Sequence, residues 1–315
     1  MLIGSCAGVF YALEQKTGQE RWSYDIKKDG AQSSFHGDPL IAGELIIVGT
    51  DGGHTAQAGG LYAFEISSGK VRWRLPVKAG ITTDVMRGGE LLYAVTLADE
   101  LVCVELQTGR LKWRHAAGAP KDDRLLNSAP AVSGAQVFFG TLSGQLISFA
   151  ASGRQLWQRD LGAPVSASIL AHEAELYVGL NNGRLLRVNQ KTGETLSETR
   201  LAGAVRGAPV MADRMVLVLH GRDEQDQTLT ALDLSLQKIL WQQQNNWCSA
   251  RPHLWRGQAL LGNTRGEVVA VQLSDGALRW AEKLRGPIRS IGSEAGIIYA
   301  GTQRGLVFAF TAAGR

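Results

Sequence analysis

The feature that most constrains the fold is a tight-turn signature, Gly-x-x-x-Trp, which recurs along the whole chain. Its tryptophan slots fall at positions 22, 73, 113, 157, 197, 241 and 280, so the spacings are 51, 40, 44, 40, 44 and 39 residues. Two copies are degenerate, because Ser197 occupies one tryptophan slot and Gln237 one glycine slot. The signature residues present are Gly18, Gly69, Gly109, Gly153, Gly193 and Gly276, with Trp22, Trp73, Trp113, Trp157, Trp241 and Trp280. A fixed period of this length is typical of repeat architectures.

Each part of the signature has a structural reason. Glycine supplies the positive φ of a tight turn at no steric cost. The returning strand carries the tryptophan, whose ring can cover the contact between neighbouring repeats while its N–H finds an acceptor. A unit this small cannot bury its own faces, so the copies must stack. Radial stacking of four-stranded antiparallel sheets predicts an all-β fold, a β-propeller formed as one domain by residues 1–315.

The strand count predicts eight blades, with seven as the alternative. In one copy the four strands are expected at about 38–42 (A), 45–50 (B), 60–66 (C) and 70–76 (D), a pattern of short alternating runs. Eight C strands are visible but only seven A and seven D strands, since the chain begins at a B strand and ends after a C strand. The terminal blades are therefore expected to be incomplete, and the chain to be a shortened form of a longer one. Joining the two ends would protect a sheet edge.

Composition narrows the function classes. Hydrophobic residues make up 44% of the chain and charged residues 20%, which is typical of a globular protein. The net charge of +4, without a basic run, does not indicate a nucleic-acid partner. Three distant cysteines predict no disulfide framework, although one pair stays open. No spacing indicates a metal site, and no stretch is long enough for a spanning helix. Met1–Cys6 lacks the charged leader and apolar region of a signal peptide, so a strand is predicted there.

The repeated Thr-Gly-x-x-x-Trp pattern resembles the pyrroloquinoline-quinone-type propeller repeat, over nearly the whole chain. Examples are Thr17–Trp22 and Thr108–Trp113. The resemblance implies one of two settings. Quinoprotein dehydrogenases hold the quinone and a calcium ion. Non-enzymatic propellers include the BamB family, eight-bladed lipoprotein scaffolds of the outer-membrane β-barrel assembly machinery.

The dehydrogenase setting implies residues that this chain lacks. Members of that group carry a pair of adjacent cysteines against the cofactor, and no Cys-Cys occurs here. They are also much longer. Asp38 and Asp84 are the nearest carboxylates to the expected pocket. We therefore expect no cofactor, with quinone and calcium kept as the alternative.

The expected binding surface is the face of the propeller that carries the longer connections between strands. Strands alternate in direction, so the A–B and C–D turns share one face and are short, as at Ala42–Glu44. The longer connections fall on the opposite face, where binding is usual. They span Lys27 to Ser34, Asp51 to Gly60, Gly118 to Leu126, Gly221 to Thr228 and Gln242 to Cys248.

The same face is predicted to hold a polar, partly cationic channel mouth at the starts of the A strands. One register contains His36, Thr82, Asn127, Ser166, Arg206, Ala250 and Ile288. Two residues on, and so on the same strand side, lie Asp38, Asp84, Ala129, Ser168, Ala208, Pro252 and Ser290. Arg251 and Arg289 lie between the two. Such a mouth suits an anionic or hydroxylated ligand; the alternative is a polar lining that only contacts water.

Two residues have competing interpretations. A catalytic His36 would need a nucleophile within hydrogen-bond distance, and the sequence indicates none, so a structural histidine is favoured. Trp247, in a long loop, either anchors a partner or packs over its blade. The chain is thus expected to be a monomeric, non-enzymatic scaffold with protein partners. The resemblance places it in the periplasm or cell envelope, with the cytoplasm open because this chain carries no signal peptide. The alternative is a propeller that binds a quinone or sugar-like ligand, with dehydrogenase activity.

Overall fold

The structure, a computed structural model, describes residues 1–29, 34–51, 59–117, 127–223, 226–248 and 251–312. It divides into two compact units, Met1–Ser166 and Ala167–Arg315, and each contains four antiparallel sheets. We number these sheets as blades 1–8 in chain order. The structure is described as these two units, and a single domain over residues 1–315 remains a prediction.

The first unit holds blades 1–4. Blade 1 contains β1 (Leu2–Gly4), β2 (Val9–Leu13) and β3 (Glu20–Asp25), followed by a 3-10 helix (Ile26–Asp29). Blade 2 contains β4 (Leu40–Ala42), β5 (Leu45–Thr50), β6 (Gly59–Glu65) and β7 (Val71–Val77). Blade 3 contains β8 (Met86–Gly88), β9 (Leu91–Thr96), β10 (Glu100–Glu105) and β11 (Leu111–Ala116). Blade 4 contains β12 (Ala131–Ser133), β13 (Gln136–Gly140), β14 (Gln145–Ala150) and β15 (Gln155–Asp160).

The second unit holds blades 5–8. Blade 5 contains β16 (Leu170–His172), β17 (Glu175–Gly179), β18 (Arg184–Asn189) and β19 (Thr195–Arg200). Blade 6 contains β20 (Ala204–Val205), β21 (Val210–Ala212), β22 (Met215–Gly221), β23 (Gln227–Asp233) and β24 (Ile239–Gln244). Blade 7 contains β25 (His253–Trp255), β26 (Gln258–Gly262), β27 (Glu267–Gln272) and β28 (Leu278–Lys283). Blade 8 contains β29 (Ile288–Glu294), β30 (Ile297–Thr302) and β31 (Val307–Thr311).

The fold is an all-β, eight-bladed propeller of four-stranded antiparallel sheets, as the repeat predicts. Consecutive strands pair within each blade, in the order A-B-C-D. Blade 1 has no A strand and blade 8 no D strand among the described residues, so the predicted incomplete terminal blades are confirmed. The sequence did not predict β20, which pairs with the end of β22 and gives blade 6 a fifth strand.

The core lies between neighbouring blades, because the B and C strands of blades 2–7 are largely buried on both faces. All six residues of β5 are buried, whereas the D strands are largely exposed. Between blades 2 and 3, Ile47 and Leu61 share one apolar cluster with Leu92 and Val102. Blades 6 and 7 are joined in the same way, by Leu217 and its neighbours. Stacking therefore removes from water the apolar faces that a single blade would expose.

The signature tryptophan of one repeat is joined to the turn of the next repeat. The indole N–H of Trp73 donates to the backbone carbonyl oxygen of Leu106 at 2.9 Å, and Trp73 is buried. The same bond joins Trp22 to Ile66, Trp113 to Ala151 and Trp241 to Leu273. The prediction that the ring covers the contact between blades while its N–H finds an acceptor is thus confirmed for these four copies.

The signature glycine faces that same tryptophan. Gly109 has a φ of +69°, and a Cβ added there would lie 2.5 Å from ring atoms of Trp73. The same contact relates Gly69 to Trp22, Gly153 to Trp113 and Gly276 to Trp241. Glycine is therefore required twice, once for the left-handed backbone and once because the indole lies directly over its Cα.

The A strands are shorter than predicted, and this changes how the predicted mouth residues are held. Six of the seven span three residues, such as β4 at Leu40–Ala42. His36 and Asp38 therefore precede the strand instead of lying on it, so the expected alternation of side chains along a strand is wrong for them. The physical reason is a contact between blades: the amide of Asp38 donates to Oδ1 of Asp84, just before β8 of blade 3.

Candidate functional site

Asn127 connects two neighbouring blades of the first unit. Its Nδ2 donates to Oδ1 of Asp99 at 3.0 Å, and the other carboxylate oxygen of Asp99 accepts from the amide of Leu142 at 3.0 Å. Asp99 is fully buried, and this burial raises the pKa of its carboxyl to about 6, against the opposing effect of both hydrogen bonds. Asn127, predicted for the mouth, thus also has a structural role.

Asp38 and Asp84, predicted two residues into the mouth on blades 2 and 3, are brought together. The backbone amide of Asp38 donates to Oδ1 of Asp84 at 2.9 Å. The two backbone segments approach each other closely at Gly37, where an added Cβ would lie only 2.6 Å from the carbonyl oxygen of Thr83. Glycine, which has no Cβ, permits this approach. Calcium takes about six to eight oxygen ligands, and one of these two carboxylates already accepts a backbone bond. The donor set that the described residues offer here does not fit a calcium ion.

His36 lies between two side chains that the sequence did not associate with it. Its Nδ1 is hydrogen-bonded to the carboxylate of Asp51, which is buried at the end of β5. Its Nε2 lies 3.4 Å from Sγ of Cys6, in the turn between β1 and β2. The bond to Asp51 raises the pKa of the His36 imidazole, although partial burial opposes it. Neither partner is near His36 in sequence, so only the folded chain shows the cluster.

Some polar side-chain atoms of the first unit are buried without a partner. Oγ1 of Thr82, Oγ1 of Thr83 and Oδ1 of Asn127 have no hydrogen-bond partner among the described residues. Ser166, at the end of this unit, is half-buried. Buried polar atoms of this kind are costly unless a further group satisfies them. Thr82 and Asn127 belong to the predicted register, so the part of the mouth in this unit has unused acceptor capacity.

The second unit supplies the cations of the predicted mouth. Arg206 and Arg251 are exposed, and Arg289 is half-buried. Nη2 of Arg206 donates to the carbonyl of Arg222 at 3.5 Å, and Nη2 of Arg289 donates to Oε1 of Gln303 at 3.3 Å. Burial lowers the pKa of His253, and the charge of Arg251 adds to this effect. These guanidinium groups can meet an acidic surface. Their use in binding stays a prediction.

Trp247 packs over its blade, which was one of its two interpretations. It is fully buried, its indole N–H donates to the carbonyl of Gln243 at 3.0 Å, and it belongs to the core cluster of blades 6 and 7. Its backbone forms a bridge with Asn263, which draws the segment onto blade 7. The indole is therefore not presented to a partner in this structure.

The predicted long loops are described only in part. Residues 242–248 are fully described, and Gln242–Gln244 belong to β24. The predicted loop at 118–126 and position Ala250 lie outside the described residues, as do 52–58, 30–33 and 224–225 within the other loops. Cys6, Cys103 and Cys248 are free thiols.

The described ranges contain neither a group of metal-ligand side chains nor a helix that could span a membrane. In residues 1–29, 34–51, 59–117, 127–223, 226–248 and 251–312, no three His, Cys, Asp or Glu side chains are grouped as metal ligands would be. Over the same part of the chain, no helix has the length and apolarity to cross a membrane.

The fold and its repeat define the class of propellers built from quinoprotein-type repeats. Residues 7–164 and 146–296 match the family described as outer membrane protein assembly factor BamB. The chain belongs to this family. The solved structure of BamB from Moraxella catarrhalis superimposes with a TM-score of 0.79 at 16% identity, over 99% of this chain and 93% of that one, and shows the same fold.

Individual relatives agree at modest identity. BamB of Yersinia pestis is 27% identical over 188 residues, which is 55% of this chain and 47% of that protein. BamB of Burkholderia pseudomallei is 27% identical over 234 residues, 69% of this chain and 57% of that protein. The chain thus spans about half the length of the relatives it matches. A polyvinylalcohol dehydrogenase of a Pseudomonas species is 26% identical over 132 residues, 39% of this chain and 21% of that protein.

Proposed function

We propose that the chain is a non-enzymatic scaffold of the periplasm that binds protein partners in outer membrane protein assembly. The observation that carries this proposal is the family match over residues 7–164 and 146–296. The relatives in that family are assembly factors by description, and their matches cover more of the chain than the dehydrogenase match does.

The chemistry of the residues favours binding over quinone-dependent oxidation. The sequence has no adjacent cysteine pair, which the quinoprotein resemblance implies. Asp38 and Asp84 offer too few oxygen ligands for calcium, and one of their oxygens accepts a backbone amide. What remains at the predicted mouth is a set of exposed guanidinium groups on the second unit, which is suited to an acidic protein surface.

Arg206 and Arg251 are therefore the proposed contact residues. Both are exposed, and both lie before an A strand, in the segments opposite the C–D turns of their own blades. Arginine is enriched among the residues that dominate binding energy at protein interfaces. Arg154, exposed in the C–D turn of blade 4, has the same charge on the opposite side of its blade and serves as the matched control.

The test is capture of the outer-membrane assembly machinery, detected by antibodies, on the immobilised complete chain. The natural chain and Arg154→Ala should retain it equally. The pair Arg206→Ala and Arg251→Ala should lose at least about fivefold in affinity, since one hot-spot side chain contributes about 1 kcal/mol or more. No capture by the natural chain would contradict the proposal. Retention by the paired variant would leave the function standing and move the contact surface elsewhere.

A second assay addresses the dehydrogenase alternative. The purified chain is reconstituted with pyrroloquinoline quinone and calcium, and dye-linked oxidation of alcohols and sugars is followed. We expect no turnover above that of the cofactor alone. Turnover that depends on the protein would contradict a scaffold without enzymatic activity.

A further inference from the structure

Three separate segments are tied together by backbone bonds beside the first turn of the chain. The amides of Ser34 and Asp51 each donate to the other's carbonyl, at 2.8 and 3.1 Å. The amide of Phe35 donates to the carbonyl of Ser5 at 3.2 Å, and Oγ of Ser34 donates to the carbonyl of Cys6 at 3.0 Å. These bonds hold the backbone around His36 on both sides, between the β1–β2 turn and the end of β5.

The side chains of Asp51, His36 and Cys6 form a line through this junction. Asp51 is 2% exposed, and its carboxylate is hydrogen-bonded to Nδ1 of His36. Sγ of Cys6 lies 3.4 Å from Nε2 on the other side of the ring, and Cys6 itself is exposed. A carboxylate that orients an imidazole, which in turn faces a nucleophilic side chain, is the arrangement that activates a nucleophile.

The chemistry of the line follows from its order. The carboxylate of Asp51 accepts a hydrogen bond from the N–H at Nδ1. In the neutral ring the lone pair therefore lies on Nε2, which faces the thiol. Proton transfer from Sγ to Nε2 would leave a thiolate beside an imidazolium, which the buried carboxylate stabilises. Asp51 touches no reactant, so it is a positioning residue.

The other described charges around the line are of both signs. Asp38 lies two residues after His36, and its backbone amide donates to Asp84. The 3-10 helix that follows β3 reaches the same turn through the amide of Ile26, which donates to the carbonyl of Gly8 at 3.0 Å. That helix carries Lys27 and Lys28, and the ammonium group of Lys28 lies over the Tyr24 ring, 5.8 Å from its centroid.

The other two cysteines have no such setting. Cys103 is fully buried, and burial raises the pKa of its thiol to about 11. Cys248 is 4% exposed, and its thiol donates to the carbonyl of Ile288 at 3.2 Å. A reagent in water therefore meets one thiol in the folded chain, and that thiol is the one beside an imidazole.

We propose that Cys6 is a nucleophilic thiol, activated by His36 and positioned through Asp51, that exchanges with disulfides of small thiols. The Cys6 proton moves to Nε2 of His36, and Sγ attacks one sulfur of the disulfide R–S–S–R. The S–S bond breaks as the new bond between Sγ and that sulfur forms, and the leaving thiolate takes the proton to become RSH. The Cys6 sulfur is oxidised to a mixed disulfide and the leaving sulfur is reduced. This inference does not depend on the proposed scaffold function.

The test is the rate at which the complete folded chain releases aryl thiolate from 5,5′-dithiobis(2-nitrobenzoate), followed from about pH 6 to about pH 9, the range in which a free thiol ionises. The matched control is the double variant Cys6→Ala and Ala7→Cys, because Ala7 is exposed in the same turn. At about pH 6 the natural chain should react about tenfold faster than this control and than His36→Gln, since Nε2 of His36 takes up the thiol proton as the sulfur attacks. The three rates should converge near pH 9. Peptide mapping should place the mixed disulfide on Cys6.

Asp51→Asn tests whether Asp51 positions His36. The rate should fall at about pH 6 and stay unchanged near pH 9, and a structural change alone does not produce this pH-dependent difference. Cys103 and Cys248 report folding, since they react only when the chain opens. If His36→Gln exposes Cys103 and Cys248, that variant is unfolded. The proposal is then tested by comparing the rate of the natural chain with that of the Cys6→Ala and Ala7→Cys control. Equal rates for the natural chain and that control over the whole pH range would overturn the proposal, as would a folded His36→Gln chain that reacts at the natural rate.

Discussion

The hydroxyl of Ser197 donates a hydrogen bond to the backbone carbonyl of Ser235 at 2.6 Å, in the slot where other repeats place a tryptophan. It therefore keeps the bond between blades while losing the indole ring. In the turn that accepts this bond, Leu236 is 1% exposed and belongs to the same apolar cluster as Leu201 and Val205. The positive φ of that turn also moves to Leu236, at +62°, so the glycine slot at Gln237 no longer needs glycine.

The first prediction concerns this pair of compensating changes. Ser197→Trp alone should destabilise the chain by about 1–3 kcal/mol, because we expect the added indole to overpack the turn that holds the buried Leu236. Leu236→Ala should destabilise it by about 2–5 kcal/mol through loss of a buried side chain. The double variant should cost at least about 1 kcal/mol less than the sum of the two. Urea unfolding checks this, and additive costs would show that the two sites do not share space.

The second prediction tests the bond that joins neighbouring blades. Trp73→Phe removes the donor to the carbonyl of Leu106 and leaves that acceptor without its indole partner, which should cost about 1–3 kcal/mol beyond the lost ring area. Trp280→Phe is the control, because its N–H donates to the side-chain amide oxygen of Gln258, which can turn towards water. A similar free energy of unfolding for both variants would argue that the carbonyl bond contributes little.

The third prediction separates the two reasons for the signature glycine. Gly18 and Gly109 occupy the same turn position, with φ of +71° and +69°. A Cβ at Gly18 meets nothing within 4 Å, whereas one at Gly109 meets the Trp73 ring at 2.5 Å. Gly18→Ala should therefore cost about 1–2 kcal/mol from backbone strain alone, and Gly109→Ala about 1–3 kcal/mol more from overpacking. Equal losses in thermal or urea unfolding would mean that the indole moves aside freely.

The fourth prediction is a pH dependence set by Asp99. Burial raises the pKa of its carboxyl from 3.8 to about 6 in the folded chain, so between these values the folded state keeps a proton that the unfolded state releases. The free energy of unfolding should therefore fall as pH rises from about 4 to about 6, by about 2–3 kcal/mol from this group. Asp99→Asn removes the titration, so the difference between variant and natural chain should shift in the variant's favour across that window.

Asp213→Asn is the matched control for this pH dependence. Asp213 also has a positive φ, of +52°, but it is exposed. Its replacement should leave the pH profile of stability parallel to that of the natural chain. A profile for Asp99→Asn that is equally parallel would contradict the assignment to Asp99.

The sequence predicts the fold well because the signature is local in each repeat. The Thr-Gly turns, and the D strands that carry the signature tryptophan, mark where each blade ends. The incomplete first and last blades therefore follow from counting strands. The short A strands do not follow, because their length depends on bonds such as that from the Asp38 amide to Asp84 of the next blade. The extra strand β20 depends in the same way on pairing with His220 and Gly221.

The candidate site is less predictable, since its members meet only through folding. The alignment of the repeats places Asn127 among the polar residues of the predicted channel mouth. It does not predict the hydrogen bond from Asn127 to Asp99. Cys6 and His36 are 30 residues apart and carry no shared motif, so no spacing rule associates them. Trp247 has the sequence setting of an exposed loop residue, and its burial follows from a bridge to Asn263.

The central claim, that the chain is a scaffold for outer membrane protein assembly, is tested most directly by titrating the purified chain into the purified assembly machinery and measuring the Kd by calorimetry. The account predicts saturable, equimolar binding that weakens at least about fivefold in the paired variant Arg206→Ala and Arg251→Ala and is unchanged in Arg154→Ala. An absence of saturable binding by the natural chain would contradict it.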